Sequence, residues 1–441
     1  MTVTTSQHLA PEAVREVLGR NMLTDGFDFV LDLENSAGSE LVDQRDGTRY
    51  LDMFTFFASS ALGMNHPALA KDDAFRAELT EAAINKPSNS DIYSVPMAEF
   101  VETFARVLGD PQLPHLFFVE GGGLAVENAL KVAFDWKSRR NEAKGKSPEL
   151  GTKIMHLTGA FHGRTGYTMS LTNTDPNKVA RFPKFDWPRI DAPYVSEAHD
   201  VAEAERTALA QARAAFEADG DDIAAFICEP IQGEGGDRHL RPEFLAAMKE
   251  LCVEFDALLI FDEVQTGCGL TGAAWAYQKL GVQPDVVSFG KKLQVCGIMA
   301  GGRVDEVEDN VFEVPSRINS TWGGNLTDMV RSRRILEVIE ADKLINNAEE
   351  RGEELLAQLR ELAAKHEGVV SDPRGAGLMC AITLPDGELR DRVIDKLRTD
   401  EKIFMLGCGA SSIRFRPALT VSAEDITRAV QALDRVLTAL S

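Results

Sequence analysis

Up to about Asn325, short apolar runs closed by glycine or acidic residues alternate with longer stretches whose apolar positions recur at helical spacing. Leu116–Val119, Lys153–Leu157, Ile223–Cys228, Leu258–Phe261 and Val286–Phe289 are each too short for a helix and read as buried strands. Between them, Ala125–Arg140, the Ala- and Glu-rich residues 196–219 and the amphipathic Arg241–Phe255 read as helices. This alternation predicts an α/β fold built on a mostly parallel sheet.

The two ends of the chain have a different texture. Residues 11–22 put Val14, Val17, Leu18 and Met22 on one helical face, and 28–53 alternate around Asp46-Gly47 as a hairpin or meander would. The apolar loop 54–69 is expected to pack against the core or a partner subunit. Beyond Asn325 the pattern predicts a helix over 326–340 and a second carrying Ile345, Ala348, Gly352, Leu355, Leu359 and Leu362. A hairpin around Pro373-Arg374-Gly375, a helix near 387–399 and an extended Ser411–Pro417 follow. A last helix opens on the capping box Ser422-Ala423-Glu424-Asp425. Residues 66–339 are thus expected to form a large domain and 340–441 a smaller α+β domain. Residues 1–65 would join the smaller one and supply dimer contacts.

Composition narrows the function more than the fold. The 441 residues carry 47 basic and 69 acidic side chains, a formal charge of −22, which speaks against nucleic acid or an anionic membrane as partner. An anionic substrate would need local arginines. Six scattered cysteines without a CxxC pair suggest neither a disulfide framework nor a metal site. The start, MTVTTSQHLAPEAVREVLG, has no basic and apolar leader pattern, and no run approaches a membrane span, so a cytoplasmic location is expected.

Candidate chemistry sits where two strands end. Asp262 follows Leu258–Phe261, and Lys291 and Lys292 follow Val286–Phe289. Ligands of α/β sheets bind at the carboxyl ends of the strands, so an acid and an amine would meet there. An amine able to form a Schiff base and an acid able to pair with a protonated ring nitrogen suit pyridoxal phosphate. Gly121-Gly122-Gly123, between a strand and a helix, either brings backbone amides to a phosphate or makes a tight turn.

Phe161-His162-Gly163, Glu229-Pro230-Ile231-Gln232-Gly233-Glu234-Gly235-Gly236, Phe261-Asp262-Glu263-Val264-Gln265-Thr266-Gly267 and Gly290-Lys291 occur in this order. Together they resemble the class III (ω-) aminotransferases, fold type I enzymes of pyridoxal phosphate. The resemblance implies the cofactor on Lys291, with its ring nitrogen on Asp262 and its phosphate on Gly122 and Gly123. Phe161 and Val264 would cover the two ring faces, and Gln265 would bond the phenolic oxygen or a substrate carboxylate. Thr321 would reach the phosphate of a neighbouring subunit, which implies a homodimer with shared sites.

For substrates, the resemblance implies that Arg414 pairs the near carboxylate of 2-oxoglutarate and that Glu234 neutralises Arg414 at other times. Arg164 would clamp the distal carboxylate, and Asn319 would form a polar wall. Lys292 competes with Lys291, and Arg416 with Arg414; the family's Gly-Lys step selects Lys291. NKPSNSDIYS, VEGGGLAVENALK, FPKFDWPRIDAPY and NSTWGGNL are similar to members that move the ε-amino group of L-lysine to 2-oxoglutarate. Ornithine, N-acetylornithine or 4-aminobutyrate as donor, or a semialdehyde aminomutase, are the alternatives. The chain departs from the family at Gly121, where a serine is usual, and at Leu124, where an acid is usual. Leu293 stands where the lysine-acting members carry threonine.

Overall fold

The computed structural model describes residues 9–440, so Met1–His8, part of the leader stretch and of the expected N-terminal segment, lie outside the described residues. Its largest sheet has seven strands: β1 (His115–Val119), β2 (Lys153–Leu157), β3 (Arg189–Ile190), β4 (Ile223–Cys228), β5 (Leu258–Asp262), β6 (Val286–Phe289) and β7 (Cys296–Ala300). Their order is β1-β7-β6-β5-β4-β2-β3. Only β7 runs against its neighbours; the other pairings are parallel. This is the mostly parallel sheet expected of a fold type I enzyme.

Every residue of β4, β5 and β6 is buried, because both faces of the sheet are covered. Successive side chains serve opposite faces. Ile227, Leu258 and Ile260 pack with Val126, Leu130 and Trp136 of the helix Gly122–Ala143. Phe226, Leu259 and Phe261 join Phe244, Leu245 and Met248 of the helix Pro242–Glu254. That is why these strands show continuous apolar runs instead of alternation.

Neither the two-residue edge strand β3 nor β7 was anticipated. A 3-10 turn over Lys291–Leu293 and a left-handed Gln294 (φ 66°) reverse the chain after β6 and return it antiparallel. The turn, and not a further βα unit, therefore occupies the carboxyl end of β6.

Two smaller sheets use the chain ends. Ser371–Ala376, Met379–Thr383, Ser412–Phe415 and Leu406–Cys408 form an antiparallel four-stranded sheet. The expected turn at Pro373-Arg374-Gly375 is displaced: these residues lie within a strand, and the reversal falls at Gly377 (φ 52°). Pro373 is tolerated because its strand is at the sheet edge and bulges between Ser371 and Arg374. Glu40–Val42 and Arg49–Asp52 make the expected hairpin around Gly47, and Ile403–Phe404 adds to it in parallel.

The N-terminal helix is shorter than its apolar pattern implied. A 3-10 turn over Pro11–Ala13 leads into Val14–Gly19, neither buries a residue, and Leu18 and Met22 are 43% and 62% exposed. Among the described residues, that face is covered only in part, with Val14 and Val17 half-buried.

The apolar loop packs inward, and at a conformational cost. Thr55, Phe56, Phe57 and Ala58 all take positive φ (42°, 53°, 62° and 68°), one left-handed turn without a glycine. Asp52 accepts the N–H groups of Phe54 and Thr55 at 3.0 and 2.8 Å. Thr55 Oγ1 donates to the Arg416 carbonyl at 2.6 Å, and Lys292 Nζ donates to the Ala58 carbonyl at 2.9 Å. The last helix, Ala423–Leu440, begins with the expected box: the Asp425 N–H meets Ser422 Oγ at 3.1 Å and the Ser422 N–H meets Asp425 at 3.4 Å.

Candidate active site

A cavity of about 880 Å³ opens at the carboxyl ends of the central strands, lined by Asp262, Lys291 and the glycines after β1. At the end of β5, the Asp262 carboxylate is held from three sides. Its Oδ2 lies 2.8 Å from His162 Nδ1, and its Oδ1 accepts the Val264 N–H at 3.1 Å and the Ser288 hydroxyl at 3.2 Å. These bonds fix the carboxylate's orientation and leave it on the cavity wall.

Past β6, Gly290 is extended and Lys291 turns left-handed (φ 48°) into the 3-10 turn. The strand has ended, so strand alternation is not what separates the two lysines; the tight turn does. Lys291 faces the cavity, whereas Lys292 is buried against Ala58. Burial, reinforced by the Arg414 and Arg416 charges, lowers the Lys291 amine to about 8. Burial lowers Lys292 further, to about 7, but its seat gives it no access to a ligand.

A measurable consequence follows from the sign of that shift. With a pKa of about 8, roughly one Lys291 amine in ten is neutral at pH 7, against about one in three thousand for an unperturbed lysine. Uptake of pyridoxal phosphate by apoprotein, followed by absorbance, should rise about tenfold per pH unit below 8 and level off above it. A rise continuing to pH 10 would mean that Lys291 is not depressed.

The glycines end β1 and begin the 22-residue helix Gly122–Ala143. Gly121 (φ 102°) caps this helix with no side-chain acceptor, so its first-turn amides face the cavity as an anion seat. A Cβ on Gly122 would stand 3.0 Å from Val264 Cγ1, and one on Gly123 3.3 Å from Thr165 Cγ2. Glu127, on the same helix, accepts Thr165 Oγ1 and the Tyr167 N–H, which ties the loop after Gly163 to this seat.

Phe161 and Val264 both line the cavity, as does Gln265, whose Oε1 accepts from Arg416 Nε at 3.0 Å. Glu229 accepts the Phe161 and Gly233 N–H groups at 3.0 and 3.1 Å, and its burial pushes its carboxyl up to about 7. Arg414, in the strand Ser412–Phe415, reaches the cavity and bonds Glu234 at 3.0 Å. Arg416 is fully buried and bonded to Asp237, outside the cavity. Arg164 is exposed at the cavity rim, with no ion pair among the described residues. Asn319 and Thr321 are exposed and do not line this chain's cavity. Leu293 is buried in the main core and does not touch the cavity.

Four residues were not singled out by sequence reasoning: His162, Ser288, Glu229 and Lys178. The first three lie within or beside quoted motifs or strands, and the strand-end placement of Asp262 was the clue to its neighbours. Lys178 gave no clue, because it sits in a non-periodic stretch outside the quoted motifs.

An acid fixed on the wall, a deprotonation-prone lysine beside it, an anion seat on a helix N-terminus and apolar side chains between them fit a flat, phosphorylated pyridine aldehyde. Residues 24–437 match the class-III aminotransferase family. The chain belongs to that family, and its cofactor is pyridoxal phosphate. The L-lysine-epsilon aminotransferase of Mycobacterium tuberculosis H37Rv is 68% identical over 430 residues, covering 97% of this chain and 96% of the relative. The enzyme of the same name from Amycolatopsis lactamdurans is 57% identical over 425 residues, 95% of this chain and 94% of the relative. The solved lysine aminotransferase from M. tuberculosis superposes with a TM-score of 0.97 at 67% identity, covering 98% of this chain and 100% of that one. Among the described residues, no helix is long and apolar enough to cross a membrane and no cluster of His, Cys, Asp or Glu is placed to hold a metal.

Proposed function

We propose that this protein is an L-lysine 6-aminotransferase, taking the ε-amino group of L-lysine to leave 2-aminoadipate 6-semialdehyde and passing it to 2-oxoglutarate to give L-glutamate. The observation that carries the reading is the Glu234–Arg414 pair, a deeply buried arginine in the cavity held by a partly exposed acid. The near-full-length likeness to lysine aminotransferases supports the donor.

Bound pyridoxal phosphate supplies the electron sink that makes an amine-bearing carbon acidic. The residues of the chain do the rest. Asp262 would keep a ring nitrogen protonated, and the Gly122 and Gly123 amides would hold the phosphate. Phe161 and Val264 would cover the ring, and Gln265 would bond the phenolic oxygen or a carboxylate. Lys291 Nζ would carry the cofactor and, once released, take and return a proton at the reacting carbon.

Two substrates of different charge share one pocket. Lysine presents no carboxylate near its ε-carbon, so Glu234 stays on Arg414; 2-oxoglutarate presents one, and Arg414 pairs with it. Arg164 takes the distal carboxylate of either substrate. Asn319 and Thr321 complete the site of a second copy, which makes the working form a homodimer. Residues 66–339 act as a cofactor-binding domain, and 340–441 with the N-terminal segment as a smaller one that brings Arg414. The working place is the cytoplasm.

The test is spectral. Loaded protein mixed with L-lysine should lose its cofactor absorbance faster than with ornithine, N-acetylornithine or 4-aminobutyrate, and 2-oxoglutarate should restore it with release of glutamate. A faster response to another amine would move the donor. Turnover of a semialdehyde without any keto acid would make the protein an aminomutase.

A further inference from the structure

Glu234 does not have a single partner. Its Oε2 accepts from Arg414 Nη2 at 3.0 Å while its Oε1 accepts from Lys178 Nζ at 2.5 Å. The carboxylate thus bridges two cations of unequal surroundings: the Arg414 side chain is 3% exposed and that of Lys178 is 27% exposed. Burial alone would raise the Glu234 carboxyl, but Arg414 and Lys178 outweigh it and hold it below the ordinary glutamate value, so it stays ionised.

Lys178 reaches in from a rim segment. It belongs to the one-turn helix Pro176–Val179, capped by Asp175, and its ammonium stands 5.6 Å from the centre of the Phe161 ring. That segment is fastened just upstream by Asn173, which accepts the Gly159 N–H at 2.6 Å and donates to the Leu157 and Leu171 carbonyls. On the other side, Arg414 Nε is buried without a partner, so its guanidinium has donors to spare for a second acceptor.

Resting on the reading above, we propose that Lys178 is a positioning residue of the acid switch: it keeps hold of Glu234 when Arg414 is surrendered to the carboxylate of the keto-acid acceptor. Without such an anchor, a carboxylate leaving Arg414 would be left unpaired in a half-buried pocket, which is costly. With it, Glu234 gives up one of two bonds and remains neutralised. The exchange is therefore easier in the acceptor half-reaction, and the donor half-reaction, in which Arg414 is not surrendered, gains little.

The experiment is a double-mutant cycle on the two half-reactions, followed by the cofactor absorbance of loaded protein. Lys178→Met should lower kcat/KM for 2-oxoglutarate about tenfold, and that for L-lysine less than about threefold. Lys178→Arg should restore most of the loss. Binding of glutarate, a dicarboxylate with no keto group, should weaken in parallel in a titration calorimeter. In a Glu234→Gln background, Lys178→Met should change the 2-oxoglutarate half-reaction less than about twofold. An equal fall in both half-reactions would make Lys178 merely structural and overturn the proposal. An undiminished loss in the Glu234→Gln background would overturn it too, by showing that Lys178 touches the acceptor directly. If 2-oxoglutarate fails to restore the wild-type absorbance, the reading of function fails first, whatever Lys178 does.

Discussion

A Lys291→Ala variant should lose transamination by about 10⁴-fold or more, because one substitution removes both the covalent anchor and the proton carrier. The variant should fold, since Lys291 faces a cavity and its amine satisfies no buried partner. Assignment to Lys291 rather than its neighbour is checked directly. Borohydride reduction of the loaded wild-type protein, then peptide mass spectrometry, should place the cofactor mass on Lys291. A label on Lys292 would sink the assignment. Lys292→Ala should instead loosen the turn at Ala58, whose carbonyl loses its 2.9 Å donor, and show mainly as a lower thermal midpoint.

Asp262→Asn should cost about 10³-fold in kcat with little change in substrate KM. The amide is nearly isosteric: its oxygen can still receive the Val264 N–H and the Ser288 hydroxyl, and its NH2 can donate to His162 Nδ1 in the tautomer that accepts there, so the pocket geometry survives. What goes is the negative charge that would keep a ring nitrogen protonated. An accompanying thermal melt separates this from misfolding. A fall of under tenfold in a variant as stable as wild type would mean that the ring nitrogen is not held here.

Five of the seven strands of the central sheet were legible because burial leaves apolar runs that need no alternation to be recognised, whereas β3 has only two residues. Asp262 and Lys291 were legible because each stands immediately after such a run. Strand β7 escaped because Gln294 takes its left-handed turn without a glycine to announce it. The turn at Pro373-Arg374-Gly375 was misjudged because proline and glycine mark edge bulges as readily as reversals. The N-terminal helix shows a further limit: an apolar stripe does not by itself say how deeply it is buried, and here Leu18 and Met22 stay exposed. Lys178 lay beyond reading for a plainer reason. Its partner is 56 residues away, and pairings across that distance exist only once the sheet has formed.

The left-handed turn at Thr55–Ala58 bears on how the protein is made. Two of the bonds that hold its four strained residues come from far along the chain: from Lys292, 234 positions after Ala58, and from the Arg416 carbonyl, 361 positions after Thr55. The nascent chain therefore cannot make both of these bonds until Arg416 has been added. Until then the early segment has every reason to relax to right-handed geometry. Closing so long a loop is slow relative to local structure. A chain halted before Arg416 would lack one of these two bonds, and with it a fastening of this wall of the pocket.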